Sequence, residues 1–308
     1  MRHSLNVVGT RCPMVLVLDD LRREAFSPEA VSLLRSAYGK HNIVYLTHLY
    51  GRVLNFTASH SVQLAPRGRR LLSSSSVLSR MPRAAAWGST THQKLLVWAL
   101  PGLHRAVFLD LDLLILRNID GLTFERLPPP DGTAPLTSPD GREEPFSAVA
   151  ALPYSTKFFN SGVFAFRPSL ATAAALYQLS GRATFKKGSS TPPTALGALP
   201  PVLIKAALER FHLTDQSVLN HYFKGRWRPL PFGFNAGVKI RSADRKLWNQ
   251  LEVAVIHFVA APKPWELVRF DTSTTDHVQK AGLWPLHLRW RRQCNFTVMA
   301  PEKRVVVS

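Results

Sequence analysis

HRAVFLDLDLLILRNIDGL, His104 to Leu122, sets two aspartates inside a run that is otherwise aliphatic and aromatic. Val107, Phe108, Leu109, Leu111, Leu113, Leu114, Ile115 and Leu116 predict a strand buried on both faces of a mostly parallel sheet. An unpaired carboxylate within such a strand is costly, so Asp110 and Asp112 are expected at its carboxyl end. Side chains two residues apart on an extended chain point the same way, and open α/β sheets bind ligands outside the carboxyl ends of their strands. Two neighbouring carboxylates repel, which favours a shared proton or a cation beside them. Oxygen ligands suit Mg²⁺ or Mn²⁺, which keep coordination positions open for substrate phosphates. Asp-x-Asp alone supports a second reading equally well, with Asp110 capping a turn and Asp112 solvated beyond it.

The chain around this stretch has 308 residues, enough to bury a large core in one domain. Lys and Arg outnumber Asp and Glu by 39 to 20, a formal charge of +19 that attracts polyanions, anionic lipid or phosphorylated ligands without choosing among them. Cys12 and Cys294 lie far apart and have no metal-ligand spacing. No apolar stretch approaches the roughly 20 residues that span a bilayer, so no transmembrane segment is expected, and the opening residues lack the order of a signal peptide. Asn55-Phe56-Thr57 and Asn295-Phe296-Thr297 match the N-glycosylation acceptor.

The opening third reads as a βαβ pattern. Met14 to Leu18 and Asn42 to Thr47 are β-rich, and between them Ser27-Pro28-Glu29 predicts a helix start that Gly39 ends. Residues 61–90, with RGRR and SSSS, read as a basic solvated loop ahead of a helix from Gln93 to Leu100. Two stretches rich in turn formers, 128–145 and 181–201, read as surface insertions. Between them FFNSGVFAFRPS predicts a strand, TDQSVLNHYFKGRW predicts a helix capped by Thr214, and VAVIHFVAAPKPW predicts a strand leading into a Pro-rich turn.

Singly, Lys94, Asn160, His257 and Lys263 each have an ordinary explanation: a solvated charge, a turn cap, a satisfied core histidine, a surface lysine. Their order does not. Lys94-Leu95-Leu96-x-Trp98, Leu109-Asp110-Leu111-Asp112 with Arg117-Asn118-Ile119-Asp120, Phe159-Asn160-Ser161-Gly162-Val163, Asp215-Gln216-x-x-Leu219-Asn220, and His257-Phe258 followed by Lys263-Pro264-Trp265 form one series. As a set it resembles glycosyltransferase family eight, on its glycogenin-like side, with the match running from Lys94 to Trp265.

The resemblance implies a GT-A fold, a Rossmann-like mixed α/β sheet flanked by helices, over residues 1–270, with 271–308 as a C-terminal extension. It implies a retaining hexosyltransferase that takes a nucleotide-sugar donor such as a UDP-sugar and a glycan or protein-linked acceptor. It also implies a Mn²⁺ ion held by Asp110, Asp112 and His257, ligands that Mn²⁺ tolerates better than Mg²⁺ does. Lys263 corresponds to the lysine that reaches the diphosphate. Lys94 stands beside donor sugar and phosphate, and Asn160, Ser161 and Gly162 belong to the donor site. Asp215 and Gln216 are the catalytic pair near the anomeric carbon, where a carboxylate stabilises or attacks an oxocarbenium-like centre.

Four departures follow from the same resemblance. His212 stands where family members place an acidic residue. Asn235 to Ser242 contains no tyrosine, which excludes self-glucosylation there. Ala260 replaces a glycine near the diphosphate. The resemblance implies a first βα unit, holding the nucleoside, before Ser4-Leu5, so the chain is expected to lack that unit, and a catalytically impaired glycan- or protein-binding role or a truncated gene product forms the alternative. A nucleic-acid partner is not expected, because zinc spacing, a recognition helix and an aromatic RNA-binding strand are all lacking. Compartment, cytoplasm or Golgi lumen, and oligomeric state stay open.

Overall fold

The computed structural model describes residues 2–20, 26–61, 92–124, 146–151, 157–182, 215–259, 262–266, 282–294, 298–299 and 304–305. Apart from Ser61, Gly181 and Arg182, the three expected insertions lie outside these residues, as do Thr214, His212 and Ala260.

After a short helix α1 (Arg2–Val7) comes a parallel strand pair, β1 (Leu16–Leu18) with β2 (Ile43–Tyr45), joined through α2 (Pro28–Tyr38). The predicted punctuation of α2 is present. The Ser27 hydroxyl accepts from Ala30 N–H at 3.2 Å, and Gly39 closes the helix at φ +80°, a conformation that costs glycine no Cβ clash. The run expected to stay extended to Thr47 instead turns helical at Leu46, opening α3 (Leu46–Ser61). The Asp20 carboxylate accepts from both the N–H (2.9 Å) and the hydroxyl of Thr47, capping α3 from another loop. Leu46, Leu49, Tyr50 and Val53 form its buried stripe at helical spacing.

The helix expected from Gln93 is present as a 3₁₀ helix, His92–Ala99. Its Trp98 is 1% exposed and packs on Phe164, Phe166 and Phe223 at centroid distances of 5.3, 4.7 and 5.8 Å.

The run from Val107 to Leu116 is two strands, not one. β3 (Ala106–Leu109) and β4 (Leu113–Ile115) lie in different sheets, with a turn at Leu111-Asp112 between them. Leu111, counted above with the buried residues, points outward and is 69% exposed. The sheets are mixed. After α4 (Gly121–Phe124), β5 (Phe146–Ala150) and β6 (Phe159–Phe166) join β3 and β7 (Arg228–Leu230) in the order β3-β6-β5-β7, with only the β5–β7 pair parallel. The smaller sheet runs β4-β9-β8, with β9 (Val255–His257) antiparallel to β4 and parallel to β8 (Ala236–Gly237).

Helices α5 (Leu170–Arg182) and α6 (Asp215–Tyr222) cover one side, and the Tyr50 and Tyr177 hydroxyls, 2.7 Å apart, join α3 to α5. After α7 (Val238–Ala243) and α8 (Arg245–Gln250), helix α9 (Trp284–Cys294) sets Leu286 and Trp290 against Trp248, Ile256 and Phe258. A short antiparallel pair, β10 (Val298–Met299) with β11 (Arg304–Val305), closes the described chain. No helix among the described residues is long and apolar enough to cross a membrane.

Candidate metal and nucleotide-sugar site

Asp110 follows β3, and Asp112 ends the turn before β4. The turn, not strand alternation, brings them together. Two backbone bonds hold it: Asp110 N–H donates to Gly162 O on β6 (2.9 Å), and Phe258 N–H after β9 donates to Asp112 O (3.0 Å). The two sheets therefore meet at the aspartates. Pairing of Leu113 with His257 in the β4–β9 ladder carries the imidazole to the same point. His257 Nε2 lies 3.2 Å from Asp112 Oδ1 and 4.0 Å from Asp110 Oδ2. One ligand atom from each of Asp110, Asp112 and His257 lies within 4.8 Å of the others.

Lys94, on the 3₁₀ helix, reaches Asp110 Oδ1 at 2.9 Å, Asp215 Oδ2 at 3.0 Å and Ser161 O at 3.1 Å. Burial acts first to push its ammonium pKa down, but Asp110 and Asp215 together raise it. Lys263 donates to Asp112 Oδ2 at 2.6 Å and to Phe258 O. Burial also raises the Asp110 pKa, against the pull of Lys94 and His257. For Asp112, burial is outweighed by His257 and Lys263, which hold the carboxyl at about 2. The two carboxyls are thus shifted in opposite directions, Asp110 up and Asp112 down, as expected for adjacent acids in unequal surroundings. Three carboxylates, Asp110, Asp112 and Asp215, face two ammonium groups, Lys94 and Lys263. The mixed oxygen and imidazole donors fit a divalent ion.

Asp215 is the first residue of α6 and is 3% exposed. Its Oδ2 accepts from Ser161 Oγ at 2.6 Å as well as from Lys94. Gln216 Oε1 accepts from Asn160 Nδ2 (3.1 Å) and Ser161 N–H (3.2 Å). The rest of the Asp-Gln-x-x-Leu-Asn motif anchors the helix: Asn220 exchanges two 2.9 Å bonds with the backbone of Phe159, and Leu219 is buried in the core.

All ten residues singled out from the sequence, Lys94, Asp110, Asp112, Asn160, Ser161, Gly162, Asp215, Gln216, His257 and Lys263, gather in one place. Nine of them line a cavity of about 1120 Å³, and Gly162 backs the His257 ring. Two further polar residues join them. Asp19 accepts from Gln93 Nε2 at 2.7 Å on the cavity wall, and Asn235 Oδ1 lies 2.7 Å from His257 Nδ1. Sequence reading used Asn235 only as a landmark, since an amide in a turn carries no chemical signature of its own.

This is the GT-A architecture of glycosyltransferases. The galactosyltransferase LgtC, crystallised with donor and acceptor sugar analogues, shares the fold at TM-score 0.51 and 16% identity, over 98% of this chain and 91% of its own. Residues 202–268, which carry Asp215, Gln216, Asn235, His257 and Lys263, match the family described as "Glycosyl transferase family 8". Glycogenin-1 of Mus musculus is 32% identical over 213 residues, 63% of this chain and 50% of its own length. Galactinol synthase 1 of Solanum lycopersicum is 25% identical over 208 residues, 65% of this chain and 55% of its own. Over these segments the chain is similar to glycosyltransferase family 8 and to glycogenin, and it spans about half the length of these two proteins.

Proposed function

We propose that the chain is a retaining, Mn²⁺-dependent hexosyltransferase that moves a sugar from a UDP-sugar to a glycan or protein-linked acceptor. One observation carries the reading: Asp110, Asp112 and His257 converge beside Lys94, Lys263 and Asp215 on a single cavity. Asp110, Asp112 and His257 would hold the ion, whose charge would offset that of the diphosphate leaving group. Lys263, on a short turn after β9, pairs with Asp112 while Lys94 pairs with Asp110, so a diphosphate bound beside the two aspartates would meet two ammonium groups. Asn160, Ser161 and Gln216 orient sugar hydroxyls through the donors and acceptors they turn to the cavity.

We assign Asp215 to electrostatic stabilisation of the anomeric centre. Its Oδ2 already accepts from both Lys94 and Ser161, and two donors on one oxygen make it a poor nucleophile. Retention of configuration, the uridine base and the identity of the ion follow the family resemblance.

The test is calorimetric titration of UDP-glucose and UDP-galactose with and without Mn²⁺, joined to an assay of UDP release. Metal-dependent donor binding with UDP release and a retained anomer in the product support the proposal. Donor binding without turnover in the presence of glycan acceptors assigns the chain to the non-catalytic binding role, and the absence of any metal-dependent donor binding refutes the proposal.

A further inference from the structure

Asn235 ends the 3₁₀ turn Phe232–Asn235 immediately before β8 and is 4% exposed. Its two amide atoms face two residues that the proposed function uses separately: Oδ1 faces His257 Nδ1 at 2.7 Å, and Nδ2 faces Asn160 Oδ1 at 2.8 Å. The nitrogen and oxygen of an amide are told apart only by their partners. Here the partners are decisive, because two backbone N–H groups, which only donate, pin the chain.

Gly162 N–H meets the Asn160 side chain at 2.9 Å, so the atom it meets is the oxygen. The Asn235 atom pointing at that oxygen must then be its NH₂ group, since an oxygen there would face an oxygen. Asn235 consequently presents its carbonyl to His257, and Nδ1 of that ring carries the hydrogen. The second pin agrees. Ser161 N–H donates to Gln216 Oε1 at 3.2 Å, so Asn160 Nδ2, 3.1 Å from that oxygen, is a donor. The bonds run one way: His257 to Asn235, Asn235 to Asn160, Asn160 to Gln216. With the Nδ1 hydrogen directed to Asn235, Nε2, the atom 3.2 Å from Asp112, is the ring nitrogen left to face an ion.

We propose that Asn235 is a positioning residue that fixes the tautomer and the ring plane of His257 as a metal ligand and, through its other amide atom, fixes the amide of Asn160 toward Gln216. One side chain thereby sets the metal ligand and the sugar-facing amides together. The inference rests on the metal-dependent reading above. Histidine ligands generally donate their second N–H to an oxygen that sets ring orientation and basicity. In this chain that oxygen belongs to an amide, and the amide has a second bond to give.

The experiment titrates Mn²⁺ alone, without donor, into wild type, N235A, N235D and H257A, following the free-ion electron paramagnetic resonance signal. The fold of each variant is checked by circular dichroism. N235A is expected to bind Mn²⁺ about 10–100-fold more weakly. N235D, whose carboxylate still accepts from Nδ1–H but gives nothing to Asn160, is expected to recover metal binding while its UDP-sugar affinity at saturating Mn²⁺ stays low. Wild-type metal affinity in N235A, or N235D no tighter than N235A, overturns the proposal. Should N235A not fold, ¹⁵N spectra of histidine-labelled wild type decide instead: a protonated Nδ1 on His257 supports the proposal, and a bare Nδ1 overturns it. A wild type that binds no Mn²⁺ refutes the metal reading itself, a failure that the variants then cannot mimic.

Discussion

Gly162 on β6 backs the imidazole of His257 on β9 so closely that a methyl group built on it would overlap ring carbon Cε1 and lie 2.7 Å from Nδ1. The same methyl would lie 2.9 Å from Asn160 Oδ1. No real Cβ tolerates these contacts, and the neighbours are a ring in a sheet and an amide bonded at both ends. Glycine at this position is therefore space reserved for the ring. Replacing Gly162 by alanine is expected to destabilise the protein by about 1–3 kcal/mol through overpacking and to weaken Mn²⁺ binding. Thermal melts with and without the ion measure both, and a variant that the ion stabilises as strongly as wild type would contradict the expectation.

Asp112 is the carboxyl that His257 and Lys263 keep ionised. Asp112→Asn keeps the shape and removes the charge. Metal affinity is expected to fall by more than the roughly 10–100-fold brought by loss of an outer hydrogen-bond partner, and transfer is expected to vanish, because the ion loses a ligand that also sets the local charge. Calorimetry with UDP-sugar and Mn²⁺ checks this, and a variant that keeps metal-dependent donor affinity would argue for a site elsewhere.

His287 on α9 is 2% exposed, packs edge-on against Phe258 at 5.2 Å, and has a buried Nδ1 without a hydrogen-bond partner among the described residues. Burial, with Arg291 adding repulsion, lowers its pKa to about 4. The folded state thus resists a proton that the unfolded chain accepts from its ordinary value of 6.5. The associated stability is fully present above pH 6.5 and is lost as pH falls toward 4. At 1.36 kcal/mol per unit the loss is about 3 kcal/mol. Urea denaturation across this range should show it, and His287→Leu should flatten the slope.

Trp98 lies in the ring cluster with Phe146, Phe164, Phe166 and Phe223, four residues after Lys94 on the same 3₁₀ helix. Trp98→Ala is expected to cost about 3–5 kcal/mol, read as a lower urea midpoint at unchanged slope. Donor affinity should fall as well, because the cavity left behind lets the segment that aims Lys94 shift.

The residue types of the site were legible before any coordinates. Carboxylates in an apolar run, a histidine in a β-rich run and a lysine in a Pro-rich turn are each conspicuous, and their order along the chain carried the family resemblance. The cap and glycine stop of α2 were equally legible, because both signals act within a turn of the residues they affect. The start of α3 was not, since its cap comes from Asp20, which is 27 residues from Thr47.

Hydrophobic content alone also merged β3 and β4. Nothing in an unbroken apolar run reports that the chain turns out to solvent at Leu111, and burial is a property of what packs against a residue. The same distinction divides the site. Sequence by itself determined which groups are able to hold a cation, bind phosphate or carry charge, because that is a matter of side-chain chemistry. Only the tertiary structure decided that Gly162 makes room for His257 and that Asn235 orients it. Both roles consist of short distances between strands and turns remote in the chain, and neither a missing side chain nor an amide has chemistry conspicuous enough to be read without its neighbours.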